Sequence, residues 1–499
     1  MVLYYLGEFS QFDSFLNRKY MKIKVLFILT AASLFLPAVS SLARVTLPDV
    51  ISDNMVVQRN SDVKLWGKAA PGRRVKVQVS WNTATYTAKV PDDGNWAVSV
   101  PTPDAGGPYT ISFDDGEKIY VQNVLSGEVW FCSGQSNMEM PMKGFMGQPV
   151  ENSAEYILAA KEETPIRMCN VKREFAFEKK DNCNCKWDVH TPKAVMNTSA
   201  TAYFFALRLW ETLGVPVGII HSSWGGTPIQ AWMDRELIEA EFPGEFDLSA
   251  YQTGKREKAQ NVAGTLYNAM IHPLVNYTIK GVIWYQGCAN RGNPEQYKRL
   301  QPSFAKMLRE KWDNPQMPFY FTQSAPYRYG GPQEREAGYM MWAQAQTLDL
   351  IPFSGMATTH DIGETATIHP RKKKEVGDRL AYLALANNYG FNFLDAKAPV
   401  PTSFKFEDGK AIVSFKVGAM GLNPINKELA SFEVAGEDRV FYPAVAKVSA
   451  NRKEVEVSAP EVPAPVAVRY GIRNVSEASL FNSAGIPATP FRSDDWERE

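Results

Sequence analysis

The sequence is 499 residues long, with 45% hydrophobic and 22% charged residues. A chain of this length and ordinary globular composition can form two or three hydrophobic cores. Lysine plus arginine equals aspartate plus glutamate, at 54 each, so no excess charge points to nucleic acid or an anionic membrane surface. The composition favours a neutral or modestly polar partner.

The first 43 residues have the pattern of a secretory signal peptide. Two lysines after Met21 precede a short apolar run, and small residues lead to a cleavage site after Ala43. The run is short for a membrane span and contains Pro37. We therefore expect a mature chain without a membrane span, located in the periplasm or secreted. We interpret the 20 residues before Met21 as an over-extended start.

Residues 44–123 predict a small N-terminal β-domain. The segments VKVQVS (75–80) and WAVSV (96–100) alternate apolar and polar residues, and Pro-Gly and Asp-Gly turn signals flank them. The same pattern returns in residues 398–499. We expect sandwich-like β-domains on both sides of the centre.

The central region, 124–397, alternates apolar strands with helical stretches. One helix is predicted over 199–214, ending at Gly214, and a second from Pro370 to about Asn388. Four strands end in the polar loops SGQSN, HSSWGG, QGCAN and HDIGE. Because open parallel sheets build their sites at the carboxyl ends of strands, this α/β region is predicted to be the functional domain.

Ser136 follows the first of these strands. A serine needs a base to become a nucleophile near neutral pH, and histidine is the usual one. Among five histidines, His369 is the first choice, because it lies on a polar loop eight residues after Asp361. A carboxylate can fix the ring tautomer and stabilise the charged form. Glu364 is the competing carboxylate, and His221 could line the pocket.

Three loops carry hydrogen-bond donors that could stabilise an oxyanion. The donors are the Ser136 N–H, a backbone N–H from Gly225-Gly226, and the side-chain amide of Asn290. Each is a weak signal alone, since a Gly-Gly pair also makes ordinary turns and Gly-x-x-Asn occurs by chance. Because all three donors lie on loops that follow strands of one domain, the sequence favours an esterase site.

The order of these blocks resembles the SGNH hydrolase superfamily and, more narrowly, the sialate O-acetylesterase family. The similarity is carried by LPDVISDNMVVQR, SGQSNMEMP, SSWGGTPIQAW, GVIWYQG and IHPRKKKEVGDRLA, and runs from about Leu47 to Trp496. It implies a three-layer α/β/α catalytic domain with a parallel sheet. It also implies hydrolysis of O-acetyl esters on an acetylated carbohydrate, with no metal or cofactor.

The resemblance also implies residue roles. The implied catalytic triad is Ser136, His369 and Asp361. The implied oxyanion hole contains Gly225, Gly226 and Asn290. The expected substrate-binding residues are Gln135, Asn137, Trp224 and Gln286. The basic run 371–374 is interpreted as a solvated helix face, which could also attract a carboxylated sugar.

One position departs from the family pattern. Relatives usually have Gly-Glu-Ser-Asn where this chain has Gly287-Cys288-Ala289-Asn290, so an acid is replaced by a thiol. If that acid orients the histidine or a substrate hydroxyl, the carboxylate must here come from Asp361 or Glu364. The other cysteines are interpreted as structural, with one disulfide considered among Cys169, Cys183 and Cys185.

The leading hypothesis is a serine esterase that removes acetyl groups from glycans, with acetylated sialic acids as the first substrate. Acetyl xylan or another polysaccharide is the alternative substrate. A non-catalytic carbohydrate-binding protein is the alternative from another class, and it would bind sugar without releasing acetate. A glycoside hydrolase with paired carboxylates finds less support, because the strand-end loops carry few acids.

Overall fold

The computed structural model describes residues 44–331, 333–425 and 428–496. The predicted signal peptide, 1–43, lies outside the described residues. Within the described ranges, no helix is long and apolar enough to cross a membrane.

From residue 44, where the described part of the chain begins, to the central sheet, the chain forms strands and turns and no helix, as predicted. Strand β3 alternates buried valines with exposed polar residues, which is the pattern of a half-buried strand. β2 pairs with β5, and β3 pairs with β4 and β6. The six strands are β1 (Val56–Gln58), β2 (Asp62–Lys68), β3 (Arg74–Val79), β4 (Thr85–Lys89), β5 (Asn95–Pro101) and β6 (Gly106–Asp114).

Strand β7 (Lys118–Gly134) joins the N-terminal region to the central sheet. Its first part pairs antiparallel with β6, and its last part lies in the middle of the central sheet. The predicted domain boundary at 123/124 falls inside this continuous strand. The N-terminal region therefore packs on the centre through a shared strand and a shared hydrophobic core.

The central sheet has the order β13-β12-β11-β7-β10-β8-β9. All neighbouring pairs are parallel except β8 with β9 at the edge. The carboxyl ends of the parallel strands therefore meet at one edge of the sheet. The strands that complete it are β8 (Ile166–Asn170), β9 (Trp187–Val189), β10 (Val217–Ser223), β11 (Gly281–Tyr285), β12 (Phe319–Thr322) and β13 (Ser354–Ala357).

Helices cover both faces of this sheet. The helices are α1 (Ser136–Glu139), α2 (Ser153–Ala159), α3 (Pro192–Asn197), α4 (Ala200–Leu213), α5 (Arg235–Glu241), α6 (Ala250–Thr253), α7 (Pro294–Lys311), α8 (Glu336–Gln346) and α9 (Lys373–Asn388). Short 3-10 or π turns are Ile229–Trp232, Ala259–Asn261, Tyr267–Ile271, His272–Leu274, Cys288–Asn290 and Thr347–Asp349.

The side chains of β11 show how the layers form. Val282 and Trp284 pack in the core that contains α7 and α8, whereas Ile283 and Tyr285 pack in the core that contains α4 and α9. Successive residues of a strand point to opposite faces, so a fully apolar strand needs a cover on both sides. The expected three-layer α/β/α class is confirmed.

Of the two predicted helices, one is confirmed and one is wrong at its start. Helix α4 is capped by the Ser199 side chain and ends at Gly214, whose φ of 65° is left-handed. Helix α9 ends at Asn388 as predicted but begins at Lys373, not Pro370. The Lys373 N–H donates to the Arg371 carbonyl at 2.9 Å, so the chain makes a tight turn before the helix.

The C-terminal region forms two four-stranded sheets over one apolar core, as expected. The sheet orders are β14-β15-β20-β19 and β18-β17-β21-β23, and β16 pairs with β22. The strands are β14 (Val400–Glu407), β15 (Lys410–Lys416), β16 (Leu422–Asn423), β17 (Phe432–Ala435), β18 (Phe441–Pro443), β19 (Val445–Val448), β20 (Glu454–Ser458), β21 (Ala467–Tyr470), β22 (Phe481–Asn482) and β23 (Phe491–Arg492).

Candidate active site

Ser136 lies at the tip of the central strand β7, at the first residue of helix α1. The strand ends at Gly134, whose φ is 146°. A Cβ there would lie 2.2 Å from the Tyr285 carbonyl oxygen, so only glycine permits this close approach of β7 and β11. Ser136 is half-buried, and its backbone N–H donates to no acceptor among the described residues. The hydroxyl therefore stands beside a free donor.

The loop that carries His369 reaches the same strand tip. Asn137 donates from Nδ2 to the Ile368 carbonyl oxygen at 3.0 Å. The residue after Ser136 is thus bonded to the residue before His369. Within the described residues, no hydrogen bond joins the Ser136 hydroxyl to His369 directly. Such bonds are often long in unliganded enzymes and tighten when substrate binds.

The imidazole of His369 is held by neutral groups. Its Nδ1 lies 2.5 Å from Gln148 Oε1, and the Phe145 ring packs edge-on at 5.2 Å between ring centroids. Its backbone N–H donates to Thr367 Oγ1 at 3.1 Å. Burial, with a further contribution from the positive charge of Lys373, lowers the pKa of His369 to about 4. The ring is therefore a neutral base at neutral pH, with Nε2 left for a substrate or nucleophile.

The two carboxylates predicted to assist His369 have other partners. Both Asp361 oxygens accept from the Arg379 guanidinium, at 2.7 and 2.6 Å. Glu364 accepts the Arg371 N–H at 2.9 Å and lies 3.6 Å from its guanidinium. Among the described residues, neither carboxylate bonds to His369. The triad bond between Asp361 and His369 is not formed here, so the role of Asp361 stays a prediction, as does the choice over Glu364.

Lys373 corrects the interpretation of the run 371–374 as a solvated face. Its exposed fraction is 1%, and its Nζ donates to Asn137 Oδ1 at 2.5 Å. The ammonium also lies 5.6 Å from the centre of the Tyr285 ring. Burial lowers the pKa of Lys373 to about 7. No pattern in the run distinguished this lysine from its neighbours, because only the start of α9 decides which side chain points inward.

Gly225 lies against Ser136, as the oxyanion prediction requires, but its N–H is occupied. A Cβ on Gly225 would lie 3.1 Å from the Ser136 Cβ. The Gly225 N–H donates to Glu139 Oε2 at 2.7 Å, and Glu139 also pairs with Arg173 at 2.5 Å. Burial raises the pKa of Glu139, while Arg173 and the Gly225 N–H oppose that rise. Gly226 is exposed with a φ of 76°.

Asn290 keeps a donor for an oxyanion. Its Oδ1 accepts from the Ile229 N–H at 3.0 Å and from Gln286 Nε2 at 2.8 Å. Its Nδ2 donates to Gln230 Oε1 at 3.0 Å. A side-chain amide nitrogen has two hydrogens, so the second remains available.

Three of the predicted substrate-binding residues are buried and bonded to protein groups. Gln135 accepts the N–H groups of Gly287 and Ala289 at 3.2 and 3.3 Å. Asn137 and Gln286 are each 1% exposed. These contacts fix the loops that surround Ser136. Direct substrate contact by these three side chains stays a prediction.

Trp224 is better placed to meet a sugar. It is half-buried, and the Arg173 guanidinium lies 6.0 Å from its ring centre. The Arg173 side chain is 56% exposed. An aromatic face and an exposed cation therefore stand next to the Gly225 loop.

The cysteines are all buried, free thiols. Cys288 is 5% exposed, and its Sγ lies 4.0 Å from Ser324 Oγ. The Sγ atoms of Cys183 and Cys185 lie 3.8 Å apart, so the disulfide considered from the sequence is not formed. In the described ranges, no group of three or more His, Cys, Asp or Glu side chains could hold a metal ion.

Comparison with known proteins decides the family. The model of the family described as carbohydrate esterase, sialic acid-specific acetylesterase, matches residues 126–386. The chain belongs to this family. This carbohydrate esterase is a carboxylic ester hydrolase that removes O-acetyl groups from glycans, which sets aside the binding-protein and glycoside-hydrolase alternatives.

Individual relatives agree with this family. Sialate O-acetylesterase from Homo sapiens is 28% identical to this chain over 401 residues, which cover 73% of this chain and 75% of the human chain. Sialate O-acetylesterase from Rattus norvegicus is 28% identical over 413 residues, which cover 70% of this chain and 75% of the rat chain. The crystal structure of a carbohydrate acetylesterase from Xanthomonas citri has a TM-score of 0.82 and 32% identity, covering 91% of the esterase and 100% of that chain.

Proposed function

We propose that the esterase removes O-acetyl groups from sialic acids, with Ser136 as nucleophile and His369 as base. The observation that carries this assignment is the Asn137–Ile368 hydrogen bond of 3.0 Å. It joins the immediate neighbours of the two residues at the carboxyl edge of a parallel sheet, which is where such sheets build their sites.

The reaction would proceed by acyl transfer. Ser136 Oγ attacks the acetyl carbonyl carbon while His369 Nε2 takes the hydroxyl proton. The bond to the sugar oxygen then breaks, and that oxygen leaves with the proton from His369. Water, deprotonated by His369, then attacks the carbonyl carbon of the acetyl-serine. The bond from that carbon to Ser136 Oγ breaks, His369 returns the proton to Oγ, and acetate leaves.

Two donors support the oxyanion role without rearrangement. They are the Ser136 N–H, which has no acceptor among the described residues, and the second hydrogen of Asn290 Nδ2. The Gly225 N–H would contribute only after leaving Glu139. Donors fixed before reaction stabilise the developing charge without reorganisation.

The preference for sialic acids is supported by two observations. The matching family is described as sialic acid-specific, and the human and rat relatives are named sialate O-acetylesterases. Arg173, exposed beside Trp224 and Gly225, is a cation that suits a sugar carboxylate. A guanidinium has five donors in a planar fork, so its bond to Glu139 leaves others for substrate.

The test compares acetate release from 9-O-acetylated sialic acid and from acetylated xylan. We expect release from the sialic acid by the wild-type chain, and its loss in Ser136→Ala. The matched control is Ser403→Ala, an exposed serine on β14, which should behave as wild type. Acetate release by Ser136→Ala would refute the assignment of Ser136 as the nucleophile. Acetate release from xylan but not from the sialic acid would refute the proposed substrate, and the proposed mechanism would still hold.

A further inference from the structure

We propose that Gln148 is a positioning residue for His369, and that its neutral side-chain carbonyl holds the Nδ1 proton where a triad would place a carboxylate. The inference rests on the proposed function, because it assumes that His369 is the base. It concerns a residue that neither the sequence patterns nor the family resemblance singled out.

The hydrogen bonds of Gln148 define the state of the imidazole. Its Oε1 lies 2.5 Å from His369 Nδ1 and accepts from Thr367 Oγ1 at 3.2 Å. Since a carbonyl oxygen only accepts, Nδ1 carries the proton and Nε2 has its lone pair free. This is the tautomer that a base for a serine hydroxyl requires.

Gln148 is itself held in a tight turn, residues 145–148. Phe145 and Gln148 exchange both backbone hydrogen bonds, each of 2.9 Å. The turn is entered through Gly144, whose φ is 78° and whose N–H donates to the Pro141 carbonyl at 2.7 Å. The Phe145 ring contacts the imidazole at 5.2 Å. The 145–148 turn therefore contacts His369 through both of its ends.

Within the part of the chain that the structure describes, no carboxylate bonds to the His369 ring. The 145–148 turn carries no charge. Lys373 on α9 is the charged group that contributes to the lowered pKa of His369. The acids closest to the site in the chain are held in the ion pairs Asp361–Arg379, Glu364–Arg371 and Glu139–Arg173. Each acid is bound to its own arginine, so an imidazolium at His369 would face a cation and a neutral amide.

This arrangement has a consequence for pH dependence. A carboxylate on Nδ1 stabilises the charged ring, whereas an amide oxygen does so far less. His369 therefore stays neutral, and active as a base, to a lower pH than an unperturbed histidine. The lowered pKa of His369, about 4 with burial as its main cause, agrees with this geometry.

The experiment uses the full chain and two substitutions of Gln148. The readout is kcat/KM for an aryl acetate as a function of pH, which does not depend on the identity of the natural sugar. We expect Gln148→Glu to move the acid limb upward by about one to three pH units, because a carboxylate would contact the imidazole. We expect Gln148→Ala to lower kcat on the order of 10²-fold, because the ring loses its orientation.

The control is Gln78→Glu, which adds the same charge on an exposed residue of β3 and should leave the pH profile unchanged. Gln148→Ala with wild-type kcat, or Gln148→Glu with an unshifted acid limb, would overturn this proposal alone. If Gln148→Ala does not fold, the near-isosteric Gln148→Glu decides. Aryl acetate hydrolysis that persists in Ser136→Ala would refute the proposed function and this proposal with it.

Discussion

Lys373 is a charged side chain in the core of the esterase, four residues after the proposed base. Among the described residues, its ammonium donates to one amide oxygen and lies near the face of one aromatic ring. A buried ammonium without a carboxylate in direct contact is costly, and the cost is reduced by losing the proton. The hydrogen bond from Lys373 to Asn137 connects α9 to α1. Burial of Lys373 therefore costs stability, but the bond holds the His369 loop against the Ser136 loop.

Replacing Lys373 by Met should reduce the increase in the free energy of unfolding that the wild-type chain shows between pH 7 and pH 10. The folded-state pKa is about 7, below the ordinary value of about 10.4 for an unfolded chain. Between these values the unfolded chain holds a proton that the folded chain has lost, so the free energy of unfolding rises with pH. Below pH 7 both states are protonated and the full cost is present.

Chemical denaturation at pH 7, 8, 9 and 10 measures this effect as the difference between wild type and variant. Lys76→Met, on the exposed side of β3, is the control and should give a constant difference. A constant difference for Lys373→Met would show that the ammonium keeps its ordinary pKa in the folded protein.

At the scale of elements, the loop between β13 and α9 decides whether the base is in place. Besides the bonds to Gln148, three contacts help to hold this loop: Asp361 to Arg379, Glu364 to the Arg371 backbone, and the Ile368 carbonyl to Asn137. The bond from Asp361 to Arg379 connects the loop to α9, and the bond from Glu364 to Arg371 closes the loop on itself. The third connects it to α1 and thus to Ser136.

Asp361→Asn should therefore reduce the stability of this loop and of the protein. The Arg379 side chain is 9% exposed and would lose its charged partner, at a cost of about 1 to 3 kcal/mol. Thermal melting and denaturant unfolding measure the loss. If Asp361 instead serves as the third triad member, the variant should lose turnover by about 10⁴-fold, with unfolding close to wild type.

For the whole molecule, loops of the C-terminal region pack on the segments that follow β12 and β13 of the central sheet. Thr358 and His360, just after β13, bond to the Pro487 carbonyl at 3.1 Å and to Ser476 at 2.8 Å. Gln323, just after β12, bonds to Thr489 at 2.6 Å. These groups are buried, and buried polar groups that lose their partners are strongly destabilising.

A chain truncated after residue 397 should consequently be less stable than the full chain. The truncation would expose the apolar surface of α8 and leave the buried groups near β12 and β13 without partners. We expect a lower melting temperature and a lower soluble yield. A truncated chain with the melting temperature of the full chain would show that the central region folds independently.

Much of this architecture could be predicted from the sequence. The alternation in β3, the end of α4 at Gly214 and the order of the strand-ending motifs depend on local patterns, and the structure agrees with them. The predicted start of α9 was wrong because residues 371–373 form a tight turn, in which the Lys373 N–H donates to the Arg371 carbonyl, and the helix begins only at the end of that turn.

The detail of the site could not be predicted, because it depends on contacts between distant segments. Gln148 stands 221 positions before His369, and Glu139 reaches the Gly225 N–H across 86 positions. Neither residue type is a usual catalytic partner in that role. Lys373 looked solvated because its neighbours are charged, and only the orientation of α9 buries it.

The central claim is that Ser136 is the nucleophile of this esterase, and covalent labelling tests it most directly. The full chain would be treated with a serine-reactive fluorophosphonate, and the adduct located by mass spectrometry while acetate release is followed. We predict one adduct on Ser136, with loss of activity in proportion to labelling. Full labelling of Ser136 with acetate release intact would contradict the account.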